Sequence, residues 1–173
     1  KTFSRQIGQL VNLSNLVDNW LFFQAIGGFD NSNKNVYYAA RNENGNYRGY
    51  FIPWDLNISF GAVYADNKYY AEETLEETGT QVQFEPGCRA IALDADHARA
   101  LAKEKWEDWK EKAFTAEALL EKAQHLQQEL TGSGAMAREM ERWPGGNAST
   151  DLSLLTEFTK QRMAYMDSMI DGL

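Results

Sequence analysis

Asn44-Gly45 lies between two aromatic-rich runs, residues 35–41 and 47–52. An Asn-Gly pair takes up the positive-φ, two-residue turn whose twist matches that of flanking antiparallel strands. Asn42-Glu43-Asn44-Gly45 therefore predicts a β-hairpin. Most of the legible chain around it carries helical periodicity instead. The fold class that follows is α+β: a helix, one hairpin, then several helices.

The second strand runs into Pro53, which has no N–H for a ladder and so ends it. Trp54 and Asp55 follow, then Asn57, and Phe60-Gly61 closes the turn. A carboxylate at the end of a strand, followed by small polar groups, suits a hard cation such as Mg²⁺. The same stretch also fits an Asx-type turn, with Asp55 bonding its own backbone. Upstream, Asp30 and Asn35 stand at Asp-x4-Asn spacing, as in a kinase catalytic loop, where the Asp takes a hydroxyl proton and the Asn holds a metal. Antiparallel pairing places Asn35 at the start of one strand and Asp55 just past the end of its partner, with Asp30 immediately before. Three residues are thereby expected to form one site.

The run Ile52-Pro53-Trp54-Asp55-Leu56-Asn57-Ile58-Ser59-Phe60-Gly61 resembles the most recognisable motif of the spore coat protein H (CotH) kinase-like family. Asp30, Asn35 and the aromatic strand Val36-Tyr37-Tyr38 resemble its catalytic segment. The resemblance is close over residues 10–61 and looser over 90–173, where Phe158-x-x-x-Arg162 matches a pattern in the family's last helices. The family usually carries Asp where this chain has Asn57, so Asp55 is the lone carboxylate of the motif. The resemblance implies the C-terminal lobe of an atypical protein kinase, moving the γ-phosphoryl of ATP to Ser or Thr of a protein substrate. It implies that Asp30 orients or deprotonates the hydroxyl, that Asn35 and Asp55 hold Mg²⁺, and that Asn57 adds a neutral ligand. It also implies a secreted or cell-surface setting. No Gly-rich phosphate loop and no strand-borne Lys precede residue 18; these belong to an N-terminal lobe expected outside this chain. The chain opens at Lys1 and reads as a piece of a longer protein, inactive alone. Two other readings stay open: a non-catalytic surface or spore-coat module on a kinase-like scaffold, and a cation-binding module. In the latter Asp55, Asn57 and Ser59 alternate as in calcium loops, without the closing Gly and distal Glu.

The 173 residues suffice for one domain, 1–173, with a catalytic core at 12–61 and a helical remainder at 94–173. The net charge of −8 argues against a nucleic-acid binder, whose surface must neutralise phosphates. No apolar run is long enough for a transmembrane segment, and no stretch of these residues reads as a signal peptide; any targeting segment is expected to lie outside this piece. The single cysteine, Cys88, excludes a disulfide framework and a cysteine-based metal site.

Along the chain, residues 1–9 read as a polar leading segment. Residues 12–26 read as a helix capped by Asn12 or Ser14 and ended by Gly27-Gly28, with Asp18 on a solvated face. Tyr64, Tyr69, Tyr70 and the acidic Glu72, Glu73, Glu76 and Glu77 read as a solvated loop or short helix, and Pro86-Gly87 as a turn. A helix through 112 is expected after an Asp94 or Asp96 cap. The next starts after Thr115, with Ala118, Leu119, Ala123 and Leu126 inward. A short helix carries Met136 and Met140, and a last one follows Thr150, with Leu155, Phe158, Met166 and Met169 inward. The methionines read as core, and His97 and His125 as surface.

Overall fold

The computed structural model describes residues 2–31, 34–62, 71–74, 85–112, 114–146 and 149–173. Seven α-helices and one hairpin are present among them: α1 (Thr2–Leu10), α2 (Leu13–Ile26), β1 (Val36–Glu43), β2 (Asn46–Pro53), α3 (Pro86–Ala92), α4 (Ala98–Glu111), α5 (Ala116–Gly132), α6 (Ala135–Arg142) and α7 (Ser153–Asp171). The α+β class expected from the sequence is what the chain adopts. Tyr64, Tyr69, Tyr70, Glu76 and Glu77 lie outside the described residues.

Helix α2 is the hub. Its sequence is apolar nearly all round, and such a helix is stable only when surrounded. Nine of its residues are buried, Leu16, Val17, Trp20 and Leu21 among them. It packs on α3, α4, α7 and β2. Asn12 caps it, its side chain accepting the Asn15 N–H at 2.9 Å. Asp18, read as solvated, pairs with Lys105 of α4 at 2.8 Å. Ala98, Ala102 and Trp106 form the buried stripe of α4, at helical spacing. The Trp106 indole N–H reaches Asp167 of α7 at 2.8 Å.

The hairpin pairs Val36 with Pro53 and Glu43 with Asn46, antiparallel and without a bulge. Its turn uses φ 52° at Asn44 and 91° at Gly45, as the Asn-Gly pair demands. The outer edge of β2 meets side chains of α2. Asn15 both accepts the Phe51 N–H (2.7 Å) and donates to Phe51 O (3.2 Å), and Asn19 donates to the same oxygen at 2.9 Å. A strand edge needs partners for its backbone groups, and an asparagine ladder supplies them here.

Five expectations are corrected. Residues 2–10 form a helix whose Phe3 and Ile7, four apart, reach the core. Pro86-Gly87 opens α3 rather than making a turn: Glu85 caps Cys88 N–H, and proline is well suited to the first helical position, where its missing N–H is not needed. The last helix starts at Ser153 after Asp151, not Thr150; the Asp151 carboxylate accepts the Ser153 N–H at 2.9 Å. Helix α5 follows its Thr115 cap (3.3 Å to Ala118 N) but buries no residue, and Leu126 is exposed. Of the methionines, Met163 and Met166 are core whereas Met140 is exposed.

Candidate functional site

The site begins where α2 ends. Gly27 is left-handed (φ 62°), its N–H bonding Gln24 O, while Gly28 N–H returns to Phe23 O at 2.8 Å. This pair of bonds satisfies the last helix carbonyls and turns the chain sharply. A single 3₁₀ turn, Phe29–Asn31, then carries Asp30.

Asn31 is buried and donates from one amide nitrogen to Asn35 O (2.9 Å) and Trp54 O (2.8 Å). Trp54 N–H donates to Asn35 O at 3.0 Å. These bonds pin the open end of the hairpin onto the Asp30 turn. Asn35 Nδ2 donates to Asp30 Oδ2 at 2.7 Å, and Lys34 Nζ lies 2.9 Å from the other carboxylate oxygen. A carboxylate only accepts, so Asn35 gives it the amide N–H and keeps its Oδ1 for another partner.

Asp55 follows Trp54 directly. It is exposed, with φ 55°, and its carboxylate makes no hydrogen bond or ion pair among the described residues. The alternative Asx-type turn is thus not formed by its side chain. Asn57 is exposed in the turn beyond. Ser59 Oγ donates to Leu56 O at 2.6 Å, and Phe60 N–H returns to Ile26 O at 2.7 Å. The turn after Asp55 is therefore stitched to the end of α2, next to Asp30.

Left-handed backbone recurs around this point: Asn35 (φ 58°), Asp55 (φ 55°) and Phe60 (φ 51°). Asn and Asp tolerate that region; for a phenylalanine it costs energy and persists only where surroundings enforce it. The Phe60 ring meets Phe158 of α7 edge-on, with centroids 6.4 Å apart.

The structure thus joins Asp30 and Asn35 directly, and sets Asp55 one residue beyond a backbone bond to Asn35. Asn57 lies further along the same turn, with no described bond tying it to the other three. The donors on offer are carboxylate and amide oxygens, the hard ligands Mg²⁺ takes together with phosphate oxygens. That chemistry fits magnesium and a nucleotide. Among the described residues no three His, Cys, Asp or Glu side chains gather. A cation here would rely on amide oxygens and on oxygens of its ligand.

Sequence reasoning missed Asn15, Asn19, Asn31 and Lys34. Lys34 had a visible signal, an i,i+4 charge pair with Asp30. The asparagines had none, since each also binds a backbone group far along the sequence, Phe51 or Trp54. No helix among the described residues is long and apolar enough to cross a membrane.

Comparison with known proteins agrees with the motif. The family described as CotH kinase protein matches residues 1–166, while no curated protein and no solved structure matches. With nearly the whole sequence covered, the chain belongs to the CotH kinase protein family.

Proposed function

We propose that residues 1–173 form one domain, equivalent to the C-terminal lobe of an atypical kinase, which helps move the γ-phosphoryl of ATP to Ser or Thr of a protein. The observation that carries this reading is the Asn35–Asp30 hydrogen bond, closed by Asn31 onto the residue preceding Asp55. Asp30 orients the acceptor hydroxyl and receives its proton. Lys34 and Asn35 hold the Asp30 carboxylate from two sides. Asn35 Oδ1, Asp55 and Asn57 would hold Mg²⁺. When bound, magnesium ATP supplies the transferable phosphoryl group and the ion screens its charge. Such transfer needs positioning and charge stabilisation more than covalent chemistry, so few residues suffice. The Gly-rich phosphate loop and the strand-borne lysine come, in this reading, from a further lobe. A spore-coat or cell-surface setting follows from the family's character.

Labelled ATP, Mg²⁺ and a basic acceptor protein, added to this chain within its full-length protein, test the reading. Transfer is expected, with Asp30→Ala and Asp55→Ala at least about a hundredfold slower. Absent transfer together with absent nucleotide binding would favour a non-catalytic coat module on the same scaffold. Asn57, standing where a second motif carboxylate is usual, is the observation on that side.

A further inference from the structure

Arg162 is fully buried in α7. A guanidinium cannot shed its charge, so burying it is costly unless its donors are satisfied. Its Nε donates to Gln24 O at 2.6 Å, and one terminal nitrogen reaches Gln24 Oε1 at 3.3 Å. The other donates to Ala71 O at 3.1 Å and to Glu73 O. The planar fork thus spans two segments far apart in the sequence. One is the last turn of α2, whose carbonyl end is the negative pole of that helix. The other is the segment 71–74, which follows the Asp55 turn.

Phe158, one turn earlier on α7, reinforces the first grip. A side chain at Gly27 would meet the Phe158 ring at 2.7 Å, so the left-handed cap leading to Asp30 packs directly against that ring and admits only glycine. The same ring touches Phe60, whose N–H is bonded to Ile26 O. The Asp30 turn, the Asp55–Phe60 turn and the 71–74 segment all rest on one face of α7.

We propose that Arg162 is a positioning residue for this site: it fixes the Asp30 turn and the 71–74 segment relative to one another. The inference rests on the kinase reading for its consequence in catalysis, but its structural content does not. A charge needed only for folding would loosen the whole molecule when altered; a positioning charge loosens the segments it spans.

Amide hydrogen exchange, read without nucleotide, separates the two. In Arg162→Lys, exchange at Gly28, Asn31, Phe60 and residues 71–74 is expected to rise about tenfold beyond that in Met166→Ala, a core variant of the same helix. Where the full-length protein transfers phosphoryl groups, Arg162→Lys should lower kcat about tenfold while KM for ATP stays within about twofold. Uniform loosening equal to the control, or an unchanged kcat, would overturn the proposal. Should the lysine variant not fold, the unsubstituted protein still decides. The Arg162 Nε–H should be protected from exchange as strongly as core amides of α2, and a fast-exchanging Nε–H would contradict the assignment. A parent protein that transfers nothing would overturn the kinase reading alone, since the exchange results stand independently.

Discussion

Two helical regions of this molecule are built on different terms. Around α2, polar side chains bind distant backbone: Asn15 and Asn19 hold Phe51, Asn31 holds Trp54, and Arg162 holds Gln24, Ala71 and Glu73. In α5 and α6 no residue is buried. There Leu126, Leu130, Met140 and Trp143 stay exposed, and Ala123, Leu126, Leu130, Met136, Leu152 and Leu155 line an open apolar groove. The first region holds every candidate site residue. The contrast teaches that this fold fixes its site through long-range bonds to backbone, whereas α5 rests on its Thr115 cap, on Ala116 and Leu119 against the core edge and on contacts with α6 and α7.

Trp106→Ala should give the largest effect, because it empties a fully buried position and breaks the bond to Asp167. A loss of about 3–5 kcal/mol is expected in denaturant melts. A loss near that of a surface change would dissolve the contrast.

Asn19→Ala comes next. It leaves Phe51 O with fewer donors in a buried place and should cost about 1–3 kcal/mol by urea titration. Thr115→Ala at the head of α5 removes one cap bond and should cost about 1 kcal/mol.

The hairpin latch should show a pH signature. The Tyr50 hydroxyl donates to Glu43, and Asn12 donates to both. The Tyr50 bond, then that of Asn12, holds the Glu43 carboxyl below its ordinary range; the same bond pushes the Tyr50 phenol up. A lowered carboxylate pKa adds stability above the ordinary carboxylate value, and that stability is lost as pH falls through the folded value. A raised phenol pKa adds stability below the ordinary phenol value, lost as pH rises through the folded value. The two shifts describe one hydrogen bond. Tyr50→Phe should therefore lower Tm at neutral pH, with the difference closing in acid; a constant offset down to low pH would show that the latch contributes nothing ionic.

The smallest effect belongs to Leu126→Gln on α5, expected within about 0.5 kcal/mol of neutral by thermal melt. A large loss would mean that the groove carries core-like packing.

What could be read in advance was local. Asn44-Gly45, the Gly27 stop and the Asn12 and Thr115 caps each act within a few residues and lie where expected, and Asp30 and Asn35, close in sequence, are bonded to one another. Asn15 and Asn19 were not legible, because their partner Phe51 is 36 and 32 residues away; Arg162 stood out in the Phe158-x-x-x-Arg162 pattern, but its partner Gln24, 138 residues away, did not. Pro86-Gly87 misled because proline opens helices as well as turns. The leading helix was missed because only Phe3 and Ile7 of its polar sequence face inward.

The central claim is that Asp30, Asn35 and Asp55 form one cation-dependent site. Mn²⁺ replacing Mg²⁺, titrated with ATP into the isotope-labelled chain, tests it most directly through paramagnetic broadening of amide signals. The account predicts early broadening at Asp30, Asn35, Asp55 and Asn57, abolished by Asp55→Asn, while α5 and α6 keep sharp signals. Broadening first at the exposed Glu117, Glu121 and Glu129 of α5, or an unchanged pattern in Asp55→Asn, would contradict it.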